Sequence, residues 1–556
     1  MTLRFLHTIL LACCLAGVCR VLLTARQKEA ATGAAGPVYL ELDSWAYPAF
    51  KRLAALGYLP DEEGLAAPWT RRQCMLLVEE AEDVASRRST RESKGANHEE
   101  AIHLIFELKA EFTSETAKTS MRIDSIYGRV TQIAGMPLRD SYHFGQTFVN
   151  DFGRPYGSGA NTIDGFTAYA LTGRFSGYIR GEYQQAGTPL LYSRDTLNLI
   201  ATVDGVPPGS QRTQAASRFD PLEMYVGVHA LGFDVTAGKQ SLWWGPGEQS
   251  AYHFSNNAEP LYALRIAQSG PIILPGPLRL LGRIRTQFLL ARLQRNLYPA
   301  RPLLNAQKIT LQVTEHLELG FTRSAIFGGA GHPLTTSSVL AGFFSTGSTG
   351  RTGFGAANDP GDRRSGFDFR WQVPGLRRYV TIYSDSLADD DPNPLDNPRR
   401  SAWAPGIYLT QMPGLKHLDL RFETYSTWLY ERDAGGQFIY WNNQYRDAYT
   451  NSGNIIGSWI GRDSRAYTAS STYWWSAHNK LAATFRQTKT GSNFIPGGAT
   501  QTDVSVNSQW ELLPGVMGAA SVQFERFFVP VLGAPRKNVT TSLQFTYYPK
   551  NLIARR

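Results

Sequence analysis

In the stretch LDLRFETY, Leu418, Leu420, Phe422 and Thr424 fall on one side of an extended chain, and Asp419, Arg421, Glu423 and Tyr425 fall on the other. LELGFTRS repeats the pattern: Leu317, Leu319 and Phe321 alternate with Glu318, Gly320 and Thr322. The same period of two runs through FTAYALTG, SGYIRGEYQQ, MYVGVHALGFDVTAGKQ, GFDFRWQV, YVTIYSDS, KLAATFRQTK, TDVSVNSQWELL, AASVQFERFF and TTSLQFTYYP. These strands are apolar on one face, while the other carries charges and small residues. A soluble sandwich hides its apolar faces in a shared core; a membrane barrel turns them to lipid and keeps polar groups in the lumen. Long Gly- and Asp-rich connections, such as GGAGHPLTTSSVLAGFFSTGSTGRTGFGAANDPGDRRS, exceed what a compact sandwich carries. The alternation of Val539, Thr541, Leu543, Phe545 and Tyr547 puts an aromatic strand near the chain end, as such barrels do. Residues 120–556 therefore read as an all-β transmembrane barrel of about 16–18 antiparallel strands, at about 22 to 27 residues per strand and loop.

Composition agrees. Aromatics make up 12% of the 556 residues and Gly is abundant at 52, while charged residues reach only 19%, below the roughly 25% usual for soluble domains. The net charge of +9 is spread without a dense basic block, which argues against nucleic acid. Past the N-terminus no window approaches the roughly 20 apolar residues of a spanning helix, so a membrane form has to be a closed barrel. The apolar run FLHTILLACCLAGVCRVLLTA follows Arg4 and is interrupted by Arg20; residues 1–25 read as a signal peptide. Cys13, Cys14 and Cys19 leave with it, and Cys74 alone can form no internal disulfide.

Residues 38–116 follow a different rhythm. Trp45, Ala49, Leu53 and Leu56 recur at helical spacing, with Gly57 placed for a left-handed C-terminal cap. Thr70 and Gln73 form a capping box before a helix whose apolar stripe is Cys74, Leu77, Val78, Ala81 and Ala85. After the polar RRSTRESKGAN, Asn97 and Glu100 are set to cap a third helix carrying Ile105, Leu108 and Phe112. Trp45-Ala46, Leu53, Gly57 and Thr70-Arg71-Arg72-Gln73 resemble an S-layer homology motif, which implies contact with a wall polymer such as peptidoglycan; the other reading is a plain helical bundle.

The run SLWWGPGEQSAYHFSNNAEP sets Trp243 and Trp244 against a Gly-Pro-Gly turn. Two readings fit. One is an aromatic girdle at the lipid boundary. The other is a carbohydrate platform, with Trp243 and Trp244 stacking on sugar rings and Ser255, Asn256, Asn257 and Arg265 supplying hydrogen bonds. The Trp-Trp-Gly-Pro-Gly run at 243–247 and the Asn256-Asn257-Ala258 run resemble the signature of the Wzi family of capsule assembly. LELGFTRSAIFGG, YVTIYSDS, LDLRFETY and NIIGSWIGRD continue the likeness in order. The resemblance implies an outer-membrane barrel lectin with periplasmic helices before it, binding capsular polysaccharide or exopolysaccharide at the cell surface and embedded in outer-membrane lipid.

Other chemistry reads weakly. Asp385, Asp389, Asp390, Asp391 and Asp396 lack the Gly and closing Glu of an EF-hand and read as a solvated loop. Phosphate-loop and zinc-finger spacings are missing, so no cofactor or metal is expected. His253 and Ser255 share a strand face, which would suit a lipid-modifying hydrolase if a carboxylate such as Glu248 or Glu259 folded back to orient the histidine. The expectation is a binding protein that is not an enzyme, with a passive porin as the alternative.

Overall fold

The computed structural model describes residues 35–59, 64–92, 96–112, 119–209, 217–332, 334–344, 361–389, 393–429, 435–447, 449–549 and 553–555. The signal segment expected at 1–25 lies outside the described residues, as do Asp390 and Asp391.

Three helices come first: α1 (Ala46–Ala55), α2 (Arg71–Glu92) and α3 (Ala96–Phe112). Gly57 takes a φ of 83° just past α1, as a left-handed cap requires. The capping box before α2 is reciprocal: Thr70 N donates to Gln73 Oε1 at 2.7 Å and Gln73 N donates to Thr70 Oγ1 at 3.1 Å. Cys74, Val78, Ala81 and Ala85 are buried with Phe50, Leu53, Leu104, Leu108 and Phe112 in one core. Asn97 departs from the expected cap. It lies within α3 and exchanges amide hydrogen bonds with Gln411 of the barrel, at 3.0 and 3.4 Å.

The barrel strands are β1 (Thr119–Ala134), β2 (Gly159–Thr172), β3 (Phe175–Gln185), β4 (Ser217–Ala230), β5 (Phe233–Gln240), β6 (Leu261–Gln268), β7 (Arg283–Arg292), β8 (Leu303–Thr314) and β9 (Leu317–Phe327). They continue as β10 (Asp362–Gln372), β11 (Val380–Asp389), β12 (Ala402–Leu409), β13 (Leu418–Ser426), β14 (Ser464–Trp474), β15 (Lys480–Thr490), β16 (Ala499–Leu513), β17 (Val516–Phe528) and β18 (Arg536–Tyr547). Each pairs antiparallel with its neighbours in sequence, and β18 closes on β1 through the register from Ile126↔Tyr547 to Ala134↔Val539. The result is an 18-strand closed antiparallel barrel with helices ahead of it. Closure removes the unpaired sheet edge, which hydrocarbon does not tolerate.

The two faces divide as the alternation predicts. Phe422, Val504, Val522, Phe524, Leu543 and Phe545 stand exposed on the outside. Aromatic girdles flank this belt, with Trp371, Tyr379, Trp475 and Tyr547 exposed near one rim and Tyr183, Phe219, Tyr467 and Phe528 near the other. Inside, buried charges meet partners: Lys308 with Asp368 at 2.6 Å and Arg486 with Asp503 at 2.7 Å. An unpaired charge there would pay the full desolvation cost.

Strand parity sorts the connections. Short turns and the ends of β1 and β18 nearest the chain termini share one rim, called here the terminal rim. The connections that leave β1, β3, β5, β9 and β13 start from the other, the long-loop rim. The helical head sits in the terminal mouth and touches the wall around its circumference. Tyr39 N donates to Tyr225 Oη at 2.7 Å, Arg180 clasps Asp43 through two bonds at 2.7 and 2.8 Å, and Arg71 reaches Asp124 at 3.1 Å. On the far side Gly64 N donates to Glu318 at 3.0 Å, Arg52 donates to the carbonyls of Thr410 and Lys416, and Trp45 packs on His478 with ring centres 4.1 Å apart. Trp45 and Arg71, which carry the S-layer-like pattern, are thus both engaged with the barrel. The Asp-rich stretch also differs from a solvated loop at its start: Asp385 and Asp389 are buried on β11, and only Asp396 of the described residues is exposed.

Candidate functional site

The loop 241–260 leaves the barrel wall after β5 and folds inward to meet the head. Trp243–Trp244 pairs with Ala66–Ala67 in a two-residue antiparallel ladder, and Gly245 N donates to Leu65 O at 3.0 Å. Both glycines of the turn are required. Gly245 has φ +155°, where a Cβ would meet Asp385 Oδ2 at 2.9 Å; at Gly247 a Cβ would lie 2.3 Å from Ser250 O. Trp244 is fully buried, edge-on to Phe254 at 4.7 Å and 71°. No face of its ring is open to a sugar or to lipid. Trp243 is partly exposed, and its Nε1 donates to Gly247 O at 3.2 Å.

The other residues singled out by sequence brace the same loop. Ser255 Oγ donates to Gly457 O at 2.6 Å, and Asn257 Nδ2 donates to Ile455 O at 3.1 Å. Asn256 O accepts from Phe152 N at 2.6 Å. Arg265 lies apart from them on β6, buried over the ring of Tyr39 at 4.2 Å, donating to Pro68 O at 3.3 Å and to Gln287 at 2.8 Å. So Trp243, Trp244 and Arg265 meet residues 66–68 of the head, while Ser255, Asn256 and Asn257 meet the rim loops 135–158 and 427–463. Around them Tyr142, Tyr252, Phe254, Tyr440, Tyr449, Ile455 and Trp459 form one buried cluster with lumen-facing residues of the wall. The rim loops therefore pack the lumen from one end and the head fills the other.

His253 and Ser255 do not form a nucleophile–base pair, since the Ser255 hydroxyl is spent on Gly457 O. Burial first, then the nearby charges of Lys308 and Arg364, push the His253 pKa down to about 3. The two nearby-in-sequence carboxylates are committed elsewhere. Glu248 pairs with Lys51 at 2.6 Å, and Glu259 pairs with Arg218 at 3.0 Å.

A second cluster, which the strand pattern does not announce, is the aromatic and charged run RDSYHFGQTFVNDFGRPY at 139–156. Its density of ring and guanidinium side chains between two strands was the available signal. His143 bridges Asp140 and Asp204 at 2.9 Å each, and Arg462 also holds Asp204 at 2.7 Å. Burial alone would lower the His143 pKa, but the two carboxylates carry it to about 10, so the ring stays charged. Beside this bridge is a narrow cleft, with room for little more than a water molecule, lined by Leu138, Arg139, Gln146, Phe148, Asp151, Arg154, Tyr156 and Asn454, among others. The Phe148 and Tyr156 rings stack at 3.9 Å and 18°. Arg129 holds Asp151 at 3.0 Å and Arg154 bonds both Asp151 and Glu182.

The family model described as capsule assembly protein Wzi matches residues 129–541. The chain belongs to that family. An uncharacterised 55.8 kDa protein in the cps region of Klebsiella pneumoniae is 28% identical over 199 residues, which span 34% of this chain and 37% of that relative. Among solved structures, Wzi of Escherichia coli, described as an outer-membrane carbohydrate-binding β-barrel involved in group 1 capsule assembly, aligns with a TM-score of 0.66 at 14% identity. The alignment covers 93% of this chain and 100% of that one. OprD of Pseudomonas aeruginosa aligns more loosely, with a TM-score of 0.42 at 7% identity over 78% of this chain and 96% of that one. The Wzi-family barrel is thus the architecture of this chain as well.

Proposed function

We propose that this chain is a non-enzymatic outer-membrane protein that binds capsular polysaccharide or exopolysaccharide and helps hold or assemble it on the cell surface. Family membership over residues 129–541 carries the reading, and the described carbohydrate binding of the E. coli relative supports it. The filled lumen speaks against a passive porin: a conducting pore needs an aqueous path, and here loop side chains and the helical head occupy it. The spent Ser255 hydroxyl speaks against the lipid-modifying hydrolase.

In this reading the terminal rim with its head faces the periplasm and the long-loop rim faces outward. The exposed apolar belt meets outer-membrane lipid. Trp243, Trp244, Ser255, Asn256, Asn257 and Arg265 serve binding by fixing the shape of the rim loops that present the glycan surface. The head acts as a stopper, and its Arg71 is already taken by Asp124 and Glu111, at 3.1 and 2.6 Å, rather than free for peptidoglycan.

The test is made in the cells that produce the protein. Removing it is expected to leave total exported polymer near its normal amount and to move most of it from the cell pellet into the medium. A normal share retained on the cells would overturn the surface-holding role. Loss of all exported polymer would make the protein part of the export route instead.

A further inference from the structure

The outer wall of β14–β18 changes character as it nears the long-loop rim. Phe485, Val504, Phe524 and Val539 stand side by side in register and are all exposed, an unbroken apolar row across β15–β18. The next outward row toward that rim is Gln487, Thr502, Arg526 and Lys537. Beyond it come Arg465, Lys489, Thr500 and Phe528. Two pairs of like charge therefore face each other on adjacent strands, Arg526 with Lys537 and Arg465 with Lys489. Such pairs are destabilising unless an anion joins them. Arg465 is partly answered, since it stacks on Trp428 at 3.9 Å and lies near Asp463. Lys489, Arg526 and Lys537 are exposed and have no ion pair or side-chain hydrogen bond among the described residues. The nearest carboxylates on these strands point inward: Asp503 holds Arg486, and Glu525 bonds Gln501 and Asn538. At the terminal ends of β14, β15 and β18 the outward positions are Tyr473, Leu481 and Tyr547, none of them charged. On this part of the wall, cations collect on the lipid side at one rim alone.

We propose that this band binds the headgroup of a glycolipid phosphorylated at both ends of a disaccharide, Arg526 and Lys537 clasping one phosphate and Lys489 the other. Lys489 is two strands and two residues from Arg526, roughly 12 Å between backbones. A cation pair with a third cation at that distance suits two phosphates better than one. Each phosphate takes charge-assisted bonds that offset the like-charge repulsion. Gln487, Thr500 and Thr502 lie between the cations and bond sugar hydroxyls, while the acyl chains cover the row from Phe485 to Val539. The site rests on the outward placement of the long-loop rim given above. It lies outside the barrel and does not depend on polysaccharide binding.

The test uses full-length protein in detergent and three probes: diphosphorylated lipid A, the same lipid with both phosphates removed, and phosphatidylglycerol. Affinity is measured by microscale thermophoresis. The diphosphorylated lipid is expected to bind about 10- to 100-fold more tightly than either of the others, with the preference shrinking as salt is raised. Arg526→Gln combined with Lys537→Gln is expected to remove most of that preference, and Lys489→Gln part of it. Arg292→Gln, at an exposed outward cation on the same rim of β7, is expected to leave it unchanged. Heat-modifiable migration shows that each barrel is folded, and the lipid-free double variant should be no less stable than the wild type, having lost a like-charge pair. Normal polysaccharide retention by the double variant keeps this site apart from the glycan-binding role. Equal affinity for the phosphorylated and dephosphorylated lipids, or an undiminished preference in the double variant, would overturn the site. Phosphatidylglycerol binding as tightly as the diphosphorylated lipid would overturn the glycolipid assignment. A loss in Arg292→Gln as large as in the double variant would show a general charge effect and overturn the site as well.

Discussion

Trp244→Ala is expected to destabilise the protein by about 3–5 kcal/mol, the range for removing a buried aromatic from a packed core. The indole is fully buried, and it is the point where the inward loop, the head and the lumen cluster meet. Its removal leaves a void bounded by Phe254 on one side and by a ladder to Ala66 on the other, neither of which can collapse without pulling the head or the loop out of register. The unfolding midpoint in detergent should fall by several degrees. Limited proteolysis should begin to cut within 241–260 before the barrel itself opens. Trp243→Ala should cost less, because that ring is partly exposed and its Nε1 makes one hydrogen bond worth about 1 kcal/mol. Equal losses at the two positions would mean that the loop is not seated as described.

Arg52→Ala is the second large effect. The Arg52 side chain is fully buried between the head and the terminal rim. It bonds Glu100 at 2.7 Å and donates to the carbonyls of Thr410 and Lys416, the latter at 2.8 Å. Truncation strands the Glu100 carboxylate, which is left with His417 at 3.3 Å, and orphans two backbone carbonyls. Breaking a buried pair from one side costs about 3–5 kcal/mol. The pair itself lies within the head and the two carbonyl bonds join the head to the barrel, so residues 38–116 should become protease-sensitive at temperatures where the strands still resist. Simultaneous loss of both would show that the head is part of the barrel's own folding unit.

How far the sequence carried this account depends on what each residue faces. Leu418, Leu420 and Phe422 against Asp419 and Glu423 announce a lipid face and a lumen face, because burial alternates with period two on a strand and nothing else competes. The Thr70–Gln73 box and Gly57 were equally legible, since helix ends are decided by local bonds. Strand β14, SRAYTASSTYW, is less legible: its inward positions carry Ala466, Thr468 and Ser470 and its outward ones include Ala469 and Ser471, which blurs the contrast between the faces. The candidate site was only half legible. Trp-Trp-Gly-Pro-Gly marked a special backbone, but the ladder joining Trp243 and Trp244 to Ala67 and Ala66 links segments far apart in the chain, and a loop's direction into the lumen leaves no periodic trace. Asn97 shows the same limit, having traded a local cap for Gln411 across the rim.

The most direct test of the central claim pairs two readings on one preparation of full-length protein. Purified acidic capsular polysaccharide is passed over the immobilised protein, and the same protein is inserted into a planar bilayer. A filled barrel that holds glycan is predicted to retain the polysaccharide without shortening it and to give no steady open-channel conductance. Steady ohmic conductance together with free passage of the polysaccharide would contradict that prediction and make the chain a porin.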